Sequence, residues 1–276
     1  MHKETFIYYT EVELLSSHRH RGNLPSCLFC VKVNEEDFGL RIRRVILKIT
    51  SLHPWDVSPA EAMAIQQRLR DKVSQESGFA QVHTVAGVDV SVKDDVAKAA
   101  VVVLNYPDLT PVDQSTAEQP VHFPYIPGLL AFREGPVVLR ALEELVTEPD
   151  LFIFDAQGLA HPRRMGLATH IGLIIDRPSI GCAKSRLCGT HHEPGPERGS
   201  YTHLREGNEI IGAVVRSRSE VQPVYVSIGH KIDLETAINY VLNCCQGYRL
   251  PETTRWAHRV AGGEEIKTQG TQLSLF

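Results

Sequence analysis

TVAGVDVSVKDDVAKAAVVVL, residues 84–104, carries the clearest signal of the fold class. Residues 84–92 and 97–104 are rich in β-branched and small apolar side chains, which favour strands. The charged connection Lys93–Asp95 is far too short for a parallel crossover. The two strands are therefore predicted to form an antiparallel hairpin.

Helices and strands surround this hairpin. Upstream, Ser58 and Glu61 form a capping-box pattern with Pro59 between them, which predicts a helix running to about Ser77. Downstream, apolar spacing predicts helices at 134–146, within 163–172 and at 233–246, and strands at 151–154, 179–184, 209–216 and 224–227. A hairpin followed by alternating strands and helices predicts an α/β fold, with a mixed sheet flanked by helices.

Composition places the chain among ordinary globular proteins. Of its 276 residues, 42% are hydrophobic and 22% are charged, which excludes a disordered chain, a collagen and a coiled coil. The formal charge of -4 gives by itself no indication of a nucleic-acid or membrane partner. No apolar run approaches the roughly 18 residues that span a bilayer, and no signal peptide is recognisable. The chain is expected to make no membrane contact.

The cysteines indicate a reducing compartment. Six cysteines with irregular spacing do not form a disulfide framework in a chain of this length, so reduced thiols and a cytoplasmic location are predicted. Cys27 and Cys30 are half of a zinc knuckle or a redox pair, but no second CxxC follows.

Two regions differ in their patterning. Residues 1–52 have neither helical nor strand periodicity and are interpreted as an N-terminal extension. Residues 53–276 form one predicted catalytic domain, with a C-terminal tail from about residue 262.

Three acidic residues stand where an α/β fold places its active site. Asp89 interrupts an apolar strand, Asp155 follows the strand 151–154, and Glu134 opens a predicted helix. Their oxygens suit Mg²⁺ or Mn²⁺ better than zinc. The alternatives are that Asp155 caps the next turn and that Glu134 only favours a helix N-terminus.

Histidines and basic residues complete the candidate chemistry. His161 and His230 are candidates to join the acids, although either could be a surface or core residue. A positive strip beside a carboxylate cluster suits phosphodiester cleavage, and its alternative is a solvated helix face. The strip consists of Arg163, Arg164, Arg177, Lys184 and Arg186.

The segment Pro124–Gly128, PYIPG, is stiffened by two prolines around an aromatic and an apolar side chain. This arrangement suits a wedge inserted into a base stack. The alternative is a proline-rich connection without a role in binding.

Four motifs together resemble the endonuclease V family of the bacterial type. They are PYIPGLLAFRE (124–134), DAQGLAHPRRMGLATHIGLIID (155–176), PSIGCAKSRLCG (178–189) and GYRLPETTRWAH (247–258). The resemblance runs from about His53 to His258. It implies a ribonuclease H-like fold and a monomer.

The resemblance also implies roles for individual residues. Asp89 and Asp155 match direct metal ligands, Glu134 completes the acidic set, and His230 matches a position that organises the metal site or its water. Lys184 lies near the scissile phosphate, and His161 belongs to the HPRR motif. Substrate-binding positions are Pro124, Tyr125, Ile126 and Pro127 in the wedge, Gly128, Leu130, Gly158 and Gly181 around the base, and Arg163. Ala156 and Gln157 depart from the family's common Gly-His, which affects the shape of the base pocket.

The implied activity is DNA repair. Family members use Mg²⁺, with Mn²⁺ able to substitute, to recognise deoxyinosine in DNA and hydrolyse the second phosphodiester bond 3′ to it, leaving 3′-hydroxyl and 5′-phosphate ends. Inosine-containing RNA is the alternative substrate. Two further alternatives are another ribonuclease H-like nuclease and an inosine-binding protein without activity.

Overall fold

The computed structural model describes residues 47–79 and 81–266. The helices are α1 (Pro59–Leu69), α2 (Leu130–Glu143), α3 (Leu167–Ile175), α4 (Leu234–Cys244) and α5 (Glu252–Ala261), and a short 3-10 helix, Arg70–Lys72, follows α1. The strands are β1 (Thr84–Lys93), β2 (Val96–Asn105), β3 (Pro111–Pro120), β4 (Leu151–Phe154), β5 (Ser179–Ala183), β6 (Tyr201–Glu206), β7 (Glu209–Val215) and β8 (Val224–His230).

These eight strands form one mixed sheet in the order β3-β2-β1-β4-β5-β8-β7-β6. The predicted hairpin is confirmed, because β1 and β2 pair antiparallel from Thr84 opposite Asn105 to Lys93 opposite Val96. Asp94 and Asp95 both have positive φ in the turn, as tight hairpin turns require. The neighbours β1, β4 and β5 run parallel, and their carboxyl ends therefore share one edge of the sheet.

The core lies on both faces of the sheet. Helices α2 and α3 cover one face, where Phe152 and Phe154 of β4 point, and α4 and α5 cover the other, where Leu151 and Ile153 point. All four of these side chains are fully buried. Burying a side chain of this size contributes roughly 1.5–3 kcal/mol, so β4 anchors both layers.

The structure corrects several predicted boundaries. The helix after Ser58 ends as an α-helix at Leu69 rather than near Ser77, and α2 begins at Leu130, which places Glu134 inside the helix and not at its start. Two strands and one helix had no sequence prediction, namely β3, β6 and α5. β3 lies in the stretch interpreted as a connection, and both its prolines stand at its ends, where an edge strand tolerates them.

The N-terminal boundary of the packed region lies before His53. Leu47 is buried in the core under α2 and α3, and the amide of Thr50 donates to the carbonyl of Ile174 at 3.0 Å. The four cysteines of the described part are free, while Cys27 and Cys30 lie outside the described residues. None of the helices described here is long and apolar enough to cross a membrane.

Candidate active site

Asp89 and Asp155 lie side by side at the carboxyl edge of the parallel strands. Val88 of β1 is in register with Phe154 of β4, and the amide of Asp155 donates to the carbonyl of Val88 at 3.0 Å. Glu134 reaches the same place from the second turn of α2. The three carboxylates line one cavity of about 380 Å³. The structure thus brings the predicted acidic set together.

Glu134 is the most perturbed of the three acids. Burial and the nearby charges of Asp89 and Asp155 together raise its pKa to about 8, against the opposing charge of Arg133. The raised pKa reflects the burial of Glu134 and its closeness to two other carboxylates, both of which disfavour its charged form. A cation in the cavity would relieve that repulsion.

Lys184 compensates part of the charge. Its ammonium group contacts Oδ2 of Asp155, whose side chain is only 8% exposed. Burial raises the pKa of Asp155, and the bond from Lys184 opposes that shift. Lys184 follows the last residue of β5, so its position is fixed by the sheet next to the strand that ends at Asp155.

His258 is a site residue that sequence reasoning missed. It lies in the last full turn of α5, and its Nδ1 is 2.7 Å from Oδ2 of Asp89. The helix comes this close because Gly87 has no Cβ, whose position would lie 1.9 Å from the carbonyl oxygen of Thr253. The motif GYRLPETTRWAH contains His258, but only the packing of α5 on β1 reveals its contact.

His230 does not join the acids, which contradicts its predicted role. It ends β8 opposite Ser179, at the beginning of β5, because β8 runs antiparallel to β5. It therefore lies at the edge of the sheet away from the carboxylates. There its Nε2 is 3.3 Å from Oδ1 of Asp176, and its Nδ1 accepts a hydrogen bond from the amide of Ser74 at 3.2 Å.

His161 lines the cavity, but its ring nitrogens are already used. Its Nε2 lies 2.8 Å from the carbonyl oxygen of Gly128 and must donate to it, which leaves Nδ1 to accept from the amide of Arg163 at 3.1 Å. Burial lowers the pKa of His161 to about 4, so the ring is neutral. These contacts contradict the prediction of a catalytic residue, and His161 instead positions Gly128.

The PYIPG segment forms one rim of the cavity. Tyr125 is 69% exposed, as a side chain available to enter a duplex must be. Gly128 has a φ of +82°, and a Cβ there would lie 2.8 Å from Nη2 of Arg163, so the position requires glycine. Tyr125, Ile126, Pro127, Gly128 and Leu130 all line the cavity, as predicted. Pro124 stands just outside the lining.

Gly158 and Gly181 support the cavity from behind instead of lining it. A Cβ on Gly181 would lie 2.4 Å from the amide nitrogen of Gly158, and a Cβ on Gly158 would lie 2.1 Å from the carbonyl oxygen of Ile228. Both glycines are therefore needed for close backbone packing. Their predicted lining positions are occupied by Ala156 and Gln157.

Comparison with known proteins agrees with this arrangement. The family model of endonuclease V matches residues 67–259, a span that contains both aspartates, Glu134, Lys184 and His258. The chain belongs to the endonuclease V family. It is an endonuclease with the ribonuclease H-like fold that the motifs implied.

Curated relatives match along almost their whole length. Endonuclease V of Roseiflexus sp. is 52% identical over 213 residues, which are 77% of this chain and 96% of the relative. Endonuclease V of Methanothrix thermoacetophila is 53% identical over 77% of this chain and 94% of the relative.

Solved structures of the family have the same fold. Endonuclease V from Streptomyces avermitilis is 43% identical with a TM-score of 0.72, covering 75% of this chain and 93% of that one. Endonuclease V from Ciona intestinalis is 30% identical with a TM-score of 0.63, covering 75% and 97%. The Ciona protein is in complex with a DNA that contains an inosine followed by a ribo-adenosine.

The predicted positive strip is largely neutralised in this family member. Arg164 forms ion pairs with Glu206 at 2.6 Å and Glu209 at 2.7 Å, and Arg177 contacts Glu148. The strip's remaining members lie at the cavity. Of these, Lys184 and Arg186 line the cavity. Nη2 of Arg163 donates to the carbonyl oxygen of Gly128 at 2.8 Å. A sequence run of arginines thus overstates the charge available to a phosphate backbone.

The donor set fits a divalent cation of the Mg²⁺ class. Asp89 and Asp155 supply adjacent carboxylate oxygens, and Glu134 is close enough to raise the local negative charge. In the described part of the chain, no three such side chains are already gathered in coordinating geometry. One oxygen of Asp155 is instead bound by Lys184 and one of Asp89 by His258.

Proposed function

We propose that this endonuclease uses Mg²⁺ to recognise deoxyinosine in DNA and to hydrolyse the second phosphodiester bond 3′ to it. Water attacks phosphorus, the bond from phosphorus to the 3′ oxygen breaks, and the products carry a 3′-hydroxyl and a 5′-phosphate. The observation that carries the proposal is the meeting of three carboxylates and Lys184 in a cavity whose rim is the PYIPG wedge.

The chemistry of the centre follows from the groups around it. A divalent cation held by Asp89 and Asp155 would activate the attacking water and offset charge on the phosphate, and Mn²⁺ can substitute because it takes the same oxygen ligands. Lys184 supplies a fixed positive charge beside the same phosphate. His258 orients Asp89 through the bond at 2.7 Å.

Recognition of the base is separate from the chemistry. Hypoxanthine presents an O6 acceptor and an N1–H donor where adenine presents the reverse pattern, and its weak pairing makes extrusion from the duplex less costly. The cavity of about 380 Å³ is large enough for one base. Tyr125 at its rim fills the gap that the extruded base leaves in the stack.

Inosine in RNA is the second candidate substrate. The Ciona relative binds a strand in which a ribo-adenosine follows the inosine, so that protein accommodates a 2′-hydroxyl next to the base. The cavity of this chain is therefore tested with both nucleic acids. The preference between them decides whether the enzyme acts in DNA repair or on RNA.

The deciding experiment maps the nick. End-labelled duplex DNA with one deoxyinosine, the matched RNA, and controls with adenine are incubated with Mg²⁺, with Mn²⁺ and with EDTA. We expect a single cut at the second bond 3′ to deoxyinosine, lost in EDTA and absent with adenine. No metal-dependent cut near inosine in either nucleic acid would refute the proposal, and cutting of RNA alone would replace the DNA activity by the RNA activity.

A wedge variant tests the recognition step. Tyr125→Ala should weaken discrimination between inosine and adenine in duplex DNA while the dependence of the rate on Mg²⁺ concentration stays unchanged. Unaltered discrimination would contradict the wedge role of Tyr125.

A further inference from the structure

Three side chains converge on the carbonyl oxygen of Gly128, the last residue of the wedge. Nε2 of Gln66 donates to it at 3.0 Å, Nε2 of His161 at 2.8 Å and Nη2 of Arg163 at 2.8 Å. Gln66 belongs to α1, whereas the other two residues precede α3. Distant parts of the chain therefore fix the end of the wedge in place.

Gln66 is the member of this group that nothing in the motifs indicates. It is completely buried and lies one residue before the family match begins. Its Nε2 also donates to the carbonyl of Met165 at 2.9 Å, and its Oε1 accepts from Nε of Arg163 at 2.6 Å. Both N–H groups and the oxygen are thus used, and together with Arg163 they close a ring of hydrogen bonds on Gly128.

The rest of the wedge has few anchors. In the described chain, its other polar contact is a local bond from the amide of Leu129 to the carbonyl of Ile126, and Nη1 of Arg133 donates at 2.9 Å to the carbonyl of Phe123, the residue before the wedge. Tyr125 between these anchors is mostly exposed. The ring at Gly128 is therefore the main polar attachment of the wedge to the floor of the cavity.

We propose that Gln66 is a positioning residue for the wedge, which sets how Tyr125 enters the duplex. This inference rests on the proposed function and extends it to a residue outside the four motifs. Only a carboxamide of this length can donate to two carbonyls and accept from Arg163 at once. A methionine in its place removes one of the three donors to the carbonyl of Gly128 and takes the Gln66 partner from the buried carbonyl of Met165 and from Nε–H of Arg163.

The experiment uses the fact that single-stranded DNA needs no strand separation. Gln66→Met is compared with wild type on deoxyinosine in duplex and in single-stranded DNA. We expect KM on duplex to rise about tenfold, as the loss of buried hydrogen bonds implies, with kcat at saturation within about twofold. On single-stranded DNA, KM should change less than about threefold.

Gln114→Met is the matched control. Gln114 also bears a partly buried carboxamide, on the edge strand β3, but its Nε2 contacts only the carbonyl of Ile266 at 3.4 Å, and the residue does not line the cavity. We expect this variant to behave like wild type on both substrates. The double variant Gln66→Met with Tyr125→Ala should be no worse on duplex than Tyr125→Ala alone, because both act through the wedge.

The outcomes separate this inference from the proposed function. Equal losses on duplex and single-stranded DNA, or no loss on either, would overturn the role of Gln66. If Gln66→Met fails to fold, as judged by thermal melting, Arg163→Lys breaks the same ring and must give the same duplex-specific loss. Wild-type protein that cuts neither inosine substrate would instead refute the proposed function.

Discussion

At each end of the parallel strands a histidine contacts an aspartate. Only the end with the carboxyl termini of the strands, the carboxyl edge, forms a cavity lined by several acidic residues. At the carboxyl edge, His258 lies 2.7 Å from Asp89, whose side chain is 11% exposed. At the other edge, His230 lies 3.3 Å from Asp176, whose side chain is 64% exposed and is also bound by Lys231 at 2.7 Å. The bond from Lys231 lowers the pKa of Asp176, whereas burial raises the pKa of Glu134 beside Asp89. A histidine–aspartate pair alone does not make an active site. The carboxyl edge differs because several largely buried carboxylates lie close together there.

The largest expected difference is between neutralising an acid at the carboxyl edge and neutralising one at the opposite edge. Asp155→Asn should reduce the nicking rate about a thousand-fold or more, because the variant loses the carboxylate charge that we propose to hold a divalent cation beside the reacting phosphate. Asp176→Asn at the opposite edge should leave the rate within about twofold. Single-turnover nicking of a deoxyinosine duplex measures both. A large loss in Asp176→Asn would break the comparison.

The two histidines should differ in the same direction by a smaller factor. His258→Ala should lower kcat about ten- to a hundred-fold, because His258 orients Asp89, which we propose as a metal ligand, and partners of this kind have such an effect. His230→Ala should retain kcat. Its unfolding free energy should fall by about 1 kcal/mol, because the bonds to Ser74 and Asp176 are lost. Steady-state kinetics and urea unfolding of each variant provide the measurements. A catalytic defect confined to His230→Ala would restore the role that the sequence predicted for it.

Acid should weaken the fold through histidines that belong to neither pair. Burial lowers the pKa of His161 to about 4 and of His170 to about 3, from an ordinary value of 6.5. Below pH about 6.5 the unfolded chain takes up these protons and the folded chain does not, so the contribution of the two histidines to the unfolding free energy is constant above that pH and falls towards pH 4. Glu134 contributes in the opposite direction, because its raised pKa of about 8 lets the folded chain keep a proton that the unfolded chain has lost. The slope is about 1 kcal/mol per pH unit for each histidine.

Urea unfolding at pH 7, 6 and 5 measures this slope. His170→Asn should show a smaller slope than wild type, since one titrating group is gone. Equal slopes for His170→Asn and wild type would contradict the burial of a neutral His170.

The smallest effect concerns the arginines near the catalytic edge. Arg186→Gln should reduce the salt dependence of DNA binding by about one phosphate contact, because Arg186 lines the cavity. Arg164→Gln should leave it unchanged, because Glu206 and Glu209 already bind Arg164. Binding to a deoxyinosine duplex at several salt concentrations distinguishes them. Equal slopes for both variants would show that the ion pairs open on DNA.

Much of the fold could be predicted because its signals are local. The alternation in 84–104 and the apolar run 151–154 are read directly from side-chain types. β3 was missed because PVDQSTAEQP is polar and lies at the edge of the sheet, where pairing with β2 rather than side-chain burial holds it. α5 was missed because its buried face has few large apolar side chains to mark it: the buried residues are Thr253, Thr254, Ala257, Val260 and Ala261.

The site was harder to predict than the fold. Asp155 and Lys184 were found because each follows the carboxyl end of a recognisable strand, and Asp89 because it interrupts an apolar one. His230 also stands at a strand end, but local sequence does not tell whether a strand runs parallel to its neighbour, and β8 does not. His258 depends on a helix crossing a glycine 171 residues earlier, a contact that no local pattern encodes.

The packing of α5 on Gly87 also has a consequence during protein synthesis, which makes the chain from its N-terminus. Asp89 and its partner His258 are 169 positions apart, so synthesis delivers the carboxylates long before the histidine. A nascent chain that stops before Glu252 contains the sheet's acids but not α5. We expect such a chain to be unable to cut DNA efficiently, because Asp89 lacks its partner His258 and β1 lacks the helix that packs on Gly87.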